Sequence, residues 1–84
     1  PRAALVSLKK AFELSPGDAR FGYVLAVALA GAGDRGGAIH VLERVLEQRP
    51  SDANALQALA GYLRDAGQRA RANETRQQLA ELSR

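Results

Sequence analysis

Apolar residues recur along this chain at helical spacing. Phe21, Leu25, Ala28 and Leu29 form an i, i+4, i+7, i+8 stripe, and Ala38, Ile39, Leu42, Val45 and Leu46 form another. Between them, Gly31-Ala32-Gly33 breaks the pattern. Five such segments predict helices over about 2–14, 19–31, 35–48, 53–66 and 69–82. Their ends carry the expected signals. Asp18, Asp34 and Asp52 stand where a carboxylate oxygen accepts from the free amides of a first helical turn. Gly33 and Gly67 stand where a helix closes through left-handed backbone. Connections of a few residues make consecutive helices antiparallel neighbours.

The segments are copies of one another. Shifted by 34 residues, Pro16 falls on Pro50, Asp18 on Asp52, Leu8 on Leu42, Ala4 on Ala38 and Leu5 on Ile39. The next copy agrees through Ala19 on Ala53, Leu25 on Leu59, Ala26 on Ala60, Leu29 on Leu63, Gly33 on Gly67 and Ala38 on Ala72. Each period is therefore a helix pair. Stacked pairs bury a continuous core that no single pair has alone.

Composition agrees with an all-helical chain: 17 alanines and 12 leucines dominate 84 residues, while β-branched residues are sparse. The absence of cysteine excludes disulfides, Cys-based metal sites and thiol chemistry, so packing alone must hold the fold. The longest apolar stretch, Phe21 to Gly33, has 13 residues and three glycines, short of the roughly 20 that a membrane-spanning helix needs. The chain reads as soluble, without a signal peptide or a membrane partner, and with the cytoplasm favoured.

These residues carry a family resemblance. The chain resembles a tetratricopeptide-repeat (TPR) array through Leu25-Ala26, Gly33-Asp34, Ala38-Ile39, Leu42 and Pro50 in the middle copy. Leu59-Ala60, Gly67 and Ala72 match in the last copy, and Ala4, Leu8, Ala11 and Pro16 in the first. The resemblance implies a right-handed α-solenoid of antiparallel helix pairs, read as the C-terminal fragment of an array. Residues 1–18 would be the second half of a repeat, 19–52 a full repeat and 53–84 a near-complete terminal repeat. It also implies close helix approach at Ala26 against Ala38 and at Ala60 against Ala72. The family usually has a large aromatic where this chain has Gly22 and Leu56, so Phe21 or Tyr23 is expected to fill that volume. Gly36-Gly37 is expected to loosen the start of its helix. In the last helix Arg76 replaces the leucine of the other copies, leaving Leu79 and Leu82 as its large apolar residues, as in a solvent-covered cap. Leu5, Leu8 and Phe12 form an apolar face expected to lack an upstream partner and to support self-association.

Candidate chemistry is thin. Gly31-Ala32-Gly33-Asp34-Arg35-Gly36 spells G-x-G-x-x-G, but no second strand-like run follows to carry a ribose-binding acid, and the repeat register already explains Gly33 and Asp34 as turn residues. His40 is the sole histidine and has no second ligand at metal spacing, so no metal, cofactor or catalytic group is expected. The expectation is a non-enzymatic scaffold that binds a protein or peptide partner. First helices of stacked pairs line a concave surface, and the resemblance points there to Arg20, Tyr23 and Val27 with their register partners Asn54, Gln57 and Gly61, and to Arg64. Tyr23, Val27 and Gly61 do not reproduce the basic and asparagine clamp of chaperone-binding members. The alternative is an RNA-binding helical repeat using Arg64, Arg69, Arg71, Arg76 and Arg84. Residues 53–84 carry +2 of the net +3, but Tyr62 is the only aromatic near those arginines to stack a base.

Overall fold

The computed structural model describes residues 2–83. It consists of α1 (Arg2–Leu14), α2 (Ala19–Gly31), α3 (Arg35–Gln48), α4 (Ala53–Asp65) and α5 (Arg69–Glu81), with no strand among the described residues. The helix bounds follow from the caps. Asp18 Oδ1 accepts from the amides of Arg20 (3.0 Å) and Phe21 (3.2 Å), Asp34 Oδ1 from Gly37 (2.8 Å) and Asp52 Oδ1 from Ala55 (2.9 Å). Each carboxylate satisfies amides that have no partner inside the helix. α5 has no such side-chain cap at Gln68.

Both turns inside the helix pairs close in the same way. Gly33 (φ +90°) and Gly67 (φ +80°) supply left-handed backbone, which lets the amides of Asp34 and Gln68 reach the carbonyls of Leu29 (2.8 Å) and Leu63 (2.9 Å). The glycine amides bond Ala30 and Arg64 in turn, completing the Schellman pattern twice, 34 residues apart. α3 is helical from Arg35 despite Gly36-Gly37. A side chain at Gly37 would meet the capping carboxylate of Asp34, so the glycine there leaves room for the cap that closes this turn.

The helices form an α-solenoid. Consecutive helices pack together and the backbones of α2 and α4 also approach each other, whereas those of α1 and α3 and of α3 and α5 stay farther apart and meet through side chains. α2 and α4 are thus the inner helices of the stack. The described chain measures 39 × 25 × 15 Å, so the core is a thin continuous layer. It contains Leu25, Leu29, Ile39, Leu42, Val45, Leu59 and Leu63. Ala26 with Ala38, and Ala60 with Ala72, are buried in the two helix pairs, where small side chains allow close approach.

Two expectations need correction. Neither Phe21 nor Tyr23 fills the space beside Gly22, since they are 39% and 41% exposed. Phe12 fills it. A Cβ on Gly22 would lie 3.2 Å from the Phe12 ring and 2.2 Å from Val45 Cγ2, so the glycine makes the hole into which α1 inserts its aromatic. Phe12 is therefore 2% exposed and cannot belong to a free self-association face with Leu5 and Leu8. Those two are partly buried and packed on the core, and the large apolar side chains that α1 leaves exposed are Val6 and Leu14. The Arg44 guanidinium lies over the Phe12 ring, 5.3 Å from its centre.

Three polar ties between neighbouring copies are additional to the apolar stacking. Arg49 Nε donates to the Gly17 carbonyl (2.7 Å), joining the two turns between helix pairs. Arg35 Nη1 donates to the Asp65 carbonyl at the end of α4 (3.0 Å), and Arg71 of α5 pairs with Glu43 of α3.

Candidate peptide groove

On the inner face, α2 and α4 present their residues in 34-residue register. Arg20, Tyr23 and Val27 of α2 are exposed, as are Asn54, Gln57 and Arg64 of α4, with Gly61 half-buried between them. The structure gathers these residues into two hollows. The larger, of about 780 Å³, brings Arg20, Tyr23 and Asn54 together with Arg49 and the cap residues Asp18 and Asp52. The smaller, of about 380 Å³, joins Gln57, Gly61 and Arg64 to Arg76 and Leu79 of α5. Val27 lines neither, although it is 45% exposed.

The chemistry of the larger hollow is mixed. Asp18 and Asp52 spend one oxygen on helix caps, and Arg49 is held by the Gly17 carbonyl. Arg20, the Tyr23 phenol and the Asn54 amide remain on its wall, offering a cation, an amphipathic ring and a paired donor and acceptor. Tyr62 packs against the core near Tyr23. Burial first, then the Tyr23 phenol and the Asp65 carboxylate, hold the Tyr62 phenol above its ordinary value of 10.0. Sequence reasoning missed Arg49 and the turn residues Ser15 and Gly17 as parts of this wall, since only the stacking of two turns brings them beside Tyr23.

Other candidate features resolve into structural roles. The G-x-G-x-x-G run is the turn between α2 and α3, with helix rather than strand before it. His40 is exposed on α3, and no cluster of histidines and carboxylates among the described residues is arranged to hold a metal ion. No helix among the described residues is long and apolar enough to cross a membrane. Among the residues of the alternative reading, Arg71 is paired with Glu43, and Tyr62 is half-buried and packed on the core. Arg84 lies outside the described residues.

Stacked antiparallel helix pairs that expose a register-matched inner face define a helical-repeat interaction scaffold. The family model for the tetratricopeptide repeat matches residues 1–61, and the chain belongs to that family. TPR proteins are in general non-enzymatic interaction modules, and protein partners are what they typically bind. A crystal structure of the MamA protein has a TM-score of 0.84 to this chain at 23% identity, over 96% of this chain and 44% of that one. The likeness is one of fold, and the chain spans less than half the length of that structure. A search of curated proteins gives no significant match.

Proposed function

We propose that the chain binds an extended or helical peptide of a protein partner along the inner face of α2 and α4. The carrying observation is the meeting of Arg20, Tyr23 and Asn54 in one hollow on adjacent inner helices. An asparagine amide satisfies the donor and acceptor of a peptide backbone, an aromatic ring gives contact area at low entropic cost, and an arginine selects an acidic group. Val27 and Gly61 continue the face toward Gln57 and Arg64, with Gly61 leaving space for a ligand side chain. Within this reading, α1 is the second half of a repeat, α2–α3 a full repeat and α4–α5 a near-complete one.

Peptides selected by phage display against the immobilised chain test this reading. The Tyr23→Ala/Asn54→Ala variant is expected to weaken the selected peptides by about tenfold or more, as for the centre of an interface. Unchanged affinity in a folded variant would move the site off this face.

A further inference from the structure

The outer side of the α4–α5 pair is polar where the matching side of α2–α3 is apolar, as a cap requires, and the charged residues that line it are all arginines. On α3, Arg35, Ile39 and Leu42 share one face at i, i+4, i+7. That face meets α4: Arg35 donates to the Asp65 carbonyl at the end of α4, and Ile39 and Leu42 are buried. Their counterparts 34 residues on are Arg69, Asn73 and Arg76 of α5, all exposed, and Ala30 of α2 is matched by Arg64 of α4. The position that α4 occupies on α2–α3 is therefore shaped again on α4–α5, but with two apolar side chains replaced by asparagine and arginine and an alanine replaced by arginine.

Two adjoining hollows mark this side. One of about 250 Å³ is lined by Arg64, Arg69, Asn73 and Arg76 over Ala72, and the other reaches the half-buried Leu79. No carboxylate lines either of them. Asp65 makes a solvent-exposed 3.4 Å contact with Arg64, while Arg69 and Arg76 make no ion pair among the described residues. An apolar helix of the α4 kind would bury Arg76 and Asn73 without partners, which is unfavourable for the charge above all. A helix bearing carboxylates instead offers these side chains charge-assisted hydrogen bonds at the edge of the contact. The side has no exposed aromatic on which a nucleic-acid base would stack.

We infer that the α4–α5 side docks an acidic amphipathic helix of a partner protein, antiparallel to α5. Its carboxylates meet Arg76 and Arg64, its apolar residues cover Ala72 and Leu79, and its C-terminal carbonyls receive Arg69 as the Asp65 carbonyl receives Arg35. This site adjoins the proposed groove, and the two share the hollow lined by Arg64, Arg76 and Leu79, whereas Arg69 and Asn73 belong to this side alone.

Fluorescence anisotropy with synthetic helices of about 15 residues tests it. One helix carries Leu and Ala on one side flanked by Glu; the others replace Glu with Gln or with Lys. The Glu helix is expected to bind about tenfold or more tightly than the Gln helix. The Arg69→Glu/Asn73→Glu variant should lose the Glu helix and gain the Lys helix, while groove peptides selected on the parent still bind it, since neither residue lines the groove hollows. Circular dichroism checks that the variant folds, and Arg69→Gln at an exposed site gives the same test with a smaller loss if it does not. Equal binding of the Glu and Gln helices, no binding of the Glu helix, or full retention by a folded variant would overturn the inference. Tighter binding of oligouridine than of the Glu helix would also overturn it, by making the side a nucleic-acid surface.

Discussion

The same substitution, Gly→Ala, should have opposite effects on stability at two helical positions of this fold. At Gly61 a Cβ meets nothing within 4 Å, so alanine gains helix propensity without a clash and should stabilise by about 0.5–1 kcal/mol. At Gly22 the new methyl would lie 2.2 Å from Val45 Cγ2 and 3.2 Å from the Phe12 ring. Carbon atoms in good contact sit about 3.5–4.0 Å apart, so more than an ångström must be found in a buried layer. Val45 is 1% exposed and β-branched, which leaves it few rotamers to retreat into, and Phe12 closes the other side. Overpacking of this kind costs about 1–3 kcal/mol, and the propensity gain offsets about 1 kcal/mol of it. Gly22→Ala should therefore destabilise, by up to about 2 kcal/mol, lowering Tm by up to roughly 15 °C for a domain of this size. Thermal and urea unfolding followed by circular dichroism measure both variants. Adding Val45→Ala to Gly22→Ala should cost less than the sum of the two single changes, because the clashing methyl is gone. A Gly22→Ala protein as stable as Gly61→Ala would refute the packing of Phe12 and Val45 around Gly22.

Further outcomes follow from the caps, the ties and Tyr62. Asp52→Ala removes the acceptor for the Ala55 amide and should cost about 1 kcal/mol, read by urea unfolding. Arg49→Ala should cost about 0.5–1.5 kcal/mol and speed amide exchange in the turn at residues 15–18, since its bond to the Gly17 carbonyl links two turns. Tyr62 carries a phenol pKa raised in the folded state, so its neutral form is the one the fold favours. Its contribution to stability is complete below the unfolded value of about 10 and is lost as pH rises through the higher folded value. The Tm of the parent should accordingly fall more steeply above about pH 10 than that of Tyr62→Phe, and parallel curves would contradict this.

Much of the fold was legible because its punctuation is local. An aspartate before a helix and a glycine after it act within one turn, and so the limits of α2 and α4 read from the sequence agree with the structure to within a residue. Phe12 was not legible in this way. Its spacing from Leu5 and Leu8 groups it with one side of α1, and only the packing of α2 on α1 reveals that Gly22 leaves a hole for it. The arginine ties were hidden for a related reason, since Arg49 and Gly17 are 32 residues apart and meet only through stacking. For the candidate groove, the repeat supplied the register of α2 against α4. The division into two hollows, with Val27 outside both, depends on side-chain placement that periodicity does not carry.

Backbone chemical-shift mapping of the isotope-labelled chain, titrated with a phage-selected peptide, tests the central claim most directly. The account predicts that the perturbed amides cluster on α2 and α4 around Arg20, Tyr23, Val27, Asn54, Gln57, Gly61 and Arg64. Perturbations confined to α1, α3 or the outer side of α5 would contradict it.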